Sequence, residues 1–354
     1  MSTHASTQQK KSRWIDGAPP VAAWKALGLH ILIPIALAAG MALAYLGAFH
    51  QPSPHDVPVA IVGNNAQSQV FAQTVQQKSD GALRVTTMGT EDAARQALSG
   101  RDITAAYMPG PGSATLLIAS AASDTTATVM RTVFGDIAYQ QNLPLRVVDV
   151  VPVGEHDTTG QGLFFLLVAL SVGSYSSAIA LSAVAGSIGV GWRFVVGAGA
   201  AVLISAIAVI VAGPVYGVFS GHYAQVFGLS ALYSLGIILI GLGLHPILGK
   251  WTTVALTGLF VMLNFTSSGG IFAPELQPGF FGGLHSFWNG AAWLHASQTQ
   301  IYFPGQTVTG SIGTLLLWLV PGVFLILLTH RWSICRTRVA NELKTVSEEE
   351  LVAV

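Results

Sequence analysis

Six of the ten histidines, His50, His55, His156, His222, His285 and His295, are the residues here whose type could carry chemistry. Imidazole binds metals and changes charge near neutral pH. Two of the six stand beside acids, in His55-Asp56 and His156-Asp157, at the two edges of one segment where they could meet. Their spacings match no ligand motif, and scattered surface histidines are the commoner arrangement, so no metal or other cofactor is expected. Nucleotide hydrolysis by this chain is excluded more firmly. No G-x-x-x-x-G-K-[ST] cradle occurs, and Gly249-Lys250 lacks both the upstream glycine and the hydroxyl residue that a phosphate site needs. No nucleophile motif assembles Ser-His-Asp chemistry, so the chain reads as no enzyme. Its formal net charge of +0 gives no reason to expect a nucleic-acid partner.

The elements that must position these residues are apolar. Hydrophobic residues make up 51% and charged residues 9%, against about 25% charged in soluble domains. Mean hydropathy is +0.58. Between Gly160 and His330 the only charges are Arg193, Lys250 and Glu275, too few to cover a water-facing surface. Lipid instead demands an apolar exterior, with a penalty of about 2.5–3.5 kcal/mol for each centrally placed charge. A span needs about 20 apolar residues. Six segments without Asp, Glu, Lys or Arg qualify: Leu27–Phe49, Leu163–Ala185, Phe194–Tyr216, Val226–Leu244, Trp251–Gly269 and Ile312–His330. Only His30 and His330 are ionisable within them, which disfavours ion-coupled transport.

Six crossings put Lys10, Lys11, Arg13, Lys25, Arg193, Lys250, Arg331, Arg336, Arg338 and Lys344 on one side, while Gly217–Gln225 and Gly270–Ser311 opposite them hold no Lys or Arg. The basic side is the cytoplasmic one, so a multi-pass plasma-membrane protein with both termini in the cytoplasm is expected. Ala42-Leu43-Ala44 resembles a signal-cleavage site, but the first apolar run is longer than the about 7–15 residues of a signal core, which argues for a retained span. Residues 1–26 form a cytoplasmic N-terminus in which Trp14, Ile15, Val21 and Trp24 suggest an interfacial elbow helix opening at Pro19-Pro20. Residues 332–354 form a cytoplasmic tail, whose Glu348-Glu349-Glu350 reads as a disordered, solvated end. Cys335, the single cysteine, allows no internal disulfide.

Residues 50–160 differ, with six basic and ten acidic residues and the periodicities of an extracytoplasmic α/β domain between the first two spans. Strands are expected at Val57–Val62, Arg84–Met88, Ile103–Met108, Ala114–Ala119 and Leu145–Val151. Helical spacing joins Val70, Phe71 and Val75. Glu91–Ser99 is a helix stopped by Gly100, and a longer one starts at Ser123 or Asp124. Pro109–Ser113 reads as a hairpin loop.

Two patterns within residues 161–331, the five-span portion, bear on function. Ser174, Ala178, Ser182 and Gly186 make a small-residue strip that lets helix backbones approach, inside one bundle or at a dimer seam. The last external loop, 270–311, is too apolar to be solvated. Pro274-Glu275-Leu276-Gln277-Pro278-Gly279-Phe280-Phe281 leads into an aromatic stretch, which reads as two short helices dipping into the membrane and broken near Asn289-Gly290.

That loop, with the soluble insertion after the first span, resembles the ABC-2 type transporter permeases. Pro58-Val59-Ala60-Ile61-Val62 and Val148-Asp149-Val150-Val151-Pro152 are similar to the phage-infection-protein-like branch. The resemblance implies a membrane α-helical, six-span ABC-2-type bundle, a homodimeric or heterodimeric permease moving a hydrophobic or amphipathic substrate among membrane lipids. A separate cytoplasmic ABC ATPase would power it, with Gly189, Gly191, Trp192 and Arg193 in the coupling loop. Here that loop is short, glycine-rich and singly charged where the family has a charged helical segment. Either the elbow and the Arg331–Lys344 tail contact the ATPase, or the chain keeps the fold without a motor. The competing reading is a non-transporting scaffold or receptor whose external domain binds partners.

Overall fold

The computed structural model describes residues 21–352, with the side chains beyond Cys335 left aside. Five helical stretches are long and apolar enough to cross a membrane: Ala22–Phe49, Gly162–Ser187, Val190–Val215, Tyr223–Ser267 and Thr309–Trp332. The fold is that of a helical membrane protein joined to a five-stranded α/β domain.

The α/β domain follows helix α1 (Val21–Phe49). Its elements are β1 (Val57–Val62), α2 (Ala66–Lys78), β2 (Leu83–Met88), α3 (Glu91–Gly100), β3 (Ala105–Pro109), β4 (Ala114–Ile118), α4 (Asp124–Gln140) and β5 (Leu145–Asp149). The sheet order is β2-β1-β3-β4-β5, parallel except between β3 and β4, which the Gly110–Ser113 loop joins as a hairpin. Strand alternation sorts the core into two layers. Val57, Val59, Ile61, Tyr107 and Leu116 pack with α2 and α4, while Ala60, Val62, Ala106 and Leu117 pack with α3. Because both faces are covered, the strands read as apolar runs rather than as alternating ones. Side chains close the helix starts: Asn65 Oδ1 accepts the Ser68 N–H at 2.8 Å, and Ser123 Oγ accepts that of Thr126 at 3.3 Å. Ala72 and Val75 carry the buried face of α2, while Val70 points to solvent.

In the bundle, α5 (Gly162–Val184), α6 (Val190–Ile210) and α7 (Tyr223–Leu248) pack side by side, with α7 innermost. After Gly249 come α8 (Thr252–Thr257), a π-helical stretch Gly258–Leu263 and α9 (Asn264–Ser267). An unbroken helix of this 45-residue run would be about 67 Å long. It folds back instead: a Cβ on Gly241 would lie 3.0 Å from Leu256 Cδ1. Gly249 makes the reversal at φ +53, a conformation that glycine adopts without a Cβ penalty. Then follow α10 (Gly279–His285), α11 (Asn289–Tyr302) and α12 (Thr309–Val352). Helix α1 lies at the edge, touching the π-helical stretch through Tyr45 and Gly40.

Four details differ from the sequence reading. Val21 and Trp24 continue α1 rather than forming a separate elbow; Trp14, Ile15 and Pro19-Pro20 lie outside the described residues. Helix α6 starts at Val190, so Gly191, Trp192 and Arg193 form its first turn and only a few residues link it to α5. Helix α12 continues through Val352, past the acidic run taken as disordered. The stop of α3 is Arg101, at φ +63, and not Gly100.

Candidate functional site

The functional candidates gather where the α/β domain meets the bundle. The segment after α9 first enters the domain: Leu276 is fully buried in its core. Backbone bonds tie it down, from the Ser53 N–H to Leu276 O at 3.2 Å and the His55 N–H to Glu275 O at 2.7 Å. Thr125 Oγ1 donates to Ile271 O at 2.6 Å. The chain then turns into the bundle. Pro278 and Gly279 are exposed at the start of α10, Phe280 points outward and Phe281 inward.

The α10–α11 turn reaches deep. Trp318 Nε1 donates to Phe287 O at 2.8 Å, and Trp318 stands nine residues into α12, about 13 Å along its axis. Helix α11 is buried on most sides, with Trp293 fully enclosed and donating to Ser230 Oγ at 3.1 Å. Its first turn presses on a polar cluster that no carboxylate joins. Asn264 Nδ2 donates to Tyr233 Oη at 2.8 Å and to Ser171 Oγ at 3.2 Å, and the two hydroxyls are bonded to each other. All three residues are buried. Asn264 Oδ1 and both polar atoms of the Asn289 amide lack a partner among the described residues. Such groups in an apolar interior require water or a ligand.

A cavity of about 290 Å3 lies between the α/β domain and α11. Arg101 reaches it from the end of α3, in a left-handed conformation that a non-glycine residue adopts at a cost. Its guanidinium donates to Gln298 Oε1 at 3.0 Å and Thr299 Oγ1 at 3.2 Å, and lies 4.8 Å over the Phe303 ring. Burial lowers its pKa to about 10, opposed by Glu275, so it stays charged at neutral pH. Pro274, Glu275, His285 and His295 line the same cavity. His285 Nδ1 meets Ser267 O at 2.9 Å, and burial lowers its pKa.

Burial, then Arg101 and His285, push His295 down to about 4. The unfolded chain takes up this proton near 6.5 and the folded one resists it, so stability falls as pH drops from 6.5 toward 4 and is level above. His295 is nonetheless an exposed residue, so solvent screening keeps the loss small. Thermal melts at pH 7 and pH 5 should therefore show a smaller drop for His295→Gln than for the native protein; an equal drop would remove His295 from the account.

A third feature is an apolar groove of about 580 Å3 between α5 and α6. Phe165, Leu166, Ile204, Ile207 and Val211 form its walls, with His156 and Tyr216 at the end nearest the domain. A π-helical turn, Val211–Val215, contains Gly213-Pro214 and shapes this end; Gly213 leaves room for the Tyr223 ring.

The other residues singled out from sequence lie elsewhere. Ser174, Ala178 and Ser182 are buried within the bundle, Ala178 against Gly241 of α7, and Gly186 is exposed beyond α5. Gly189, Gly191 and Trp192 are exposed at the far end from the domain, where Arg193 Nε is buried with no hydrogen-bond partner among the described residues. The two histidine–aspartate pairs have separate partners. Asp56 pairs with Arg84 at 3.4 Å, whereas Asp157 caps α5 by accepting the Gly162 N–H. Among the described residues no three His, Cys, Asp or Glu side chains converge as for a metal.

Sequence reasoning missed Arg101, the Ser171–Tyr233–Asn264 cluster and one repeated doublet. Trp24-Lys25, Trp192-Arg193, Lys250-Trp251 and Arg331-Trp332 each pair tryptophan with a basic residue, and all four tryptophans are exposed at that far end. Tryptophan belts mark a membrane–water boundary, so the doublets were a readable signal.

Fold and site together define a helical membrane protein with a docked α/β domain. Comparison with protein-family models, with curated proteins and with solved structures finds no match to this chain.

Proposed function

We propose that this chain is the permease-like subunit of an ABC-2 type exporter. It crosses the plasma membrane six times, with both termini cytoplasmic and the α/β domain outside. The observation that carries this reading is the α10–α11 pair, which enters a bundle and turns at mid-depth against the buried Ser171–Tyr233–Asn264 cluster. Irregular backbone at that depth is tolerated only inside protein or beside a cavity. The apolar groove with His156 and Tyr216 at one end suits a hydrophobic or amphipathic substrate drawn from lipid. The tryptophan–basic doublets support the cytoplasmic assignment of the far end. A dimer of this subunit, with itself or a homologue, would be driven by a separate ATPase.

The brief α5–α6 connection, a single 3-10 turn at Ala185–Ser187 and two further residues before α6, favours a second reading, a membrane scaffold whose external domain binds partners. One experiment separates the two. The tagged protein, purified from its native membranes in mild detergent, should carry a near-stoichiometric nucleotide-binding ATPase. Replacing Gly189–Arg193 should remove it. Reproducible absence of any ATPase, with external partners retained, would establish the scaffold instead.

A further inference from the structure

We propose that the cavity beneath the α/β domain binds a small zwitterion, with Arg101 receiving its phosphate and Glu275 its ammonium group. The observation is a pair of opposite charges that share one cavity and do not meet. Arg101 and Glu275 both line it, yet they form no ion pair. Each is held back by its own supports. Gln298, Thr299 and Phe303 fix the guanidinium, and the backbone bond from His55 fixes the turn that carries Glu275.

The guanidinium has five N–H donors and uses two on protein acceptors, so three have none among the described residues. A largely buried cation whose hydrogen-bond partners are all neutral, with Glu275 acting on it only through space, is incompletely compensated, and an acid group in the cavity would supply what it lacks. Glu275 opposite makes a bare dianion a poor fit and an attached ammonium a good one. About 290 Å3 lies just below the about 300–1,000 Å3 of drug-sized ligand sites, as fits a smaller molecule. That space suits a phosphoethanolamine group, free or on a lipid.

The probes are O-phosphoethanolamine, inorganic phosphate and ethanolamine, titrated calorimetrically into the lipid-depleted full chain in detergent. Phosphoethanolamine should bind at least tenfold more tightly than either fragment. Arg101→Gln should weaken it at least tenfold, and Glu275→Gln should bring phosphate level with it. In nanodiscs, phosphatidylethanolamine should displace the soluble probe and phosphatidylglycerol should not if the natural source is a headgroup; equal binding in both identifies a free solute. The probe comparison on the native chain needs no variant to fold. Phosphate binding as tightly as phosphoethanolamine, or silence of all three probes, would overturn the proposal.

Discussion

Gly322→Ala should destabilise the protein by about 1–3 kcal/mol, the usual cost of overpacking a closed contact. A Cβ at this position would stand 2.7 Å from Leu239 Cβ and 2.9 Å from the Ile240 backbone nitrogen. No rotamer change relieves a clash with backbone, so α7 and α12 must move apart. The crossing is glycine-lined from both sides: a Cβ on Gly243 would meet Leu325 Cβ at 2.5 Å. Close backbone approach through glycine is how helices pack when lipid removes the hydrophobic drive between them. The control is Gly313→Ala on the same helix, where nothing lies within 4 Å. It should be neutral or slightly stabilising, through the higher helix propensity of alanine. Thermal unfolding of the purified proteins in one detergent reads the difference, and equal melting of the two variants would refute the crossing.

The second large effect is expected at Gly290→Ala. The added carbon would fall on Asn264 Oδ1, 2.0 Å away, and 2.7 Å from Cγ of the same side chain. Asn264 is fully buried, and swinging it aside breaks its bonds to Tyr233 and Ser171. A loss of about 2 kcal/mol follows from overpacking combined with hydrogen bonds that average about 0.6 kcal/mol and reach about 1.7 inside membranes. The cause is testable by a double-mutant cycle. In an Asn264→Ala background the obstructing amide is gone, so Gly290→Ala should cost little. If it costs the same in both backgrounds, the clash is not with Asn264.

Legibility followed the physics of each element. Strands such as Val57–Val62 were readable because a sheet covered on both faces demands continuous apolar runs closed by turn residues. The bundle was readable because lipid leaves almost no charge in 161–331. Gly249-Lys250 marks the place where the Tyr223–Ser267 run breaks, with α7 ending at Leu248 and Gly249 turning the chain at φ +53. What failed depended on tertiary contact. Gly100 looked like the stop of α3, but Arg101 takes the left-handed conformation, its N–H closing the helix on Ala97 and Leu98 O while its guanidinium reaches α11 and Phe303. The small-residue strip of α5 drew notice by its regular spacing, whereas the tighter crossing uses glycines spread over two distant helices. Leu276 was read with the membrane-dipping stretch and instead completes the core of the α/β domain, a contact no local pattern encodes.

The central claim is that the α/β domain and the tryptophan–basic rim lie on opposite sides of the membrane, and one native residue tests it. Cys335 is exposed and is the only cysteine in the chain. A membrane-impermeant maleimide should leave it unlabelled in intact cells and label it once the membrane is opened. Gln77→Cys on α2, in a Cys335→Ser background, should label in intact cells without treatment. Labelling of native Cys335 in sealed cells, or protection of the cysteine at position 77, would contradict the six-crossing topology and the permease reading built on it.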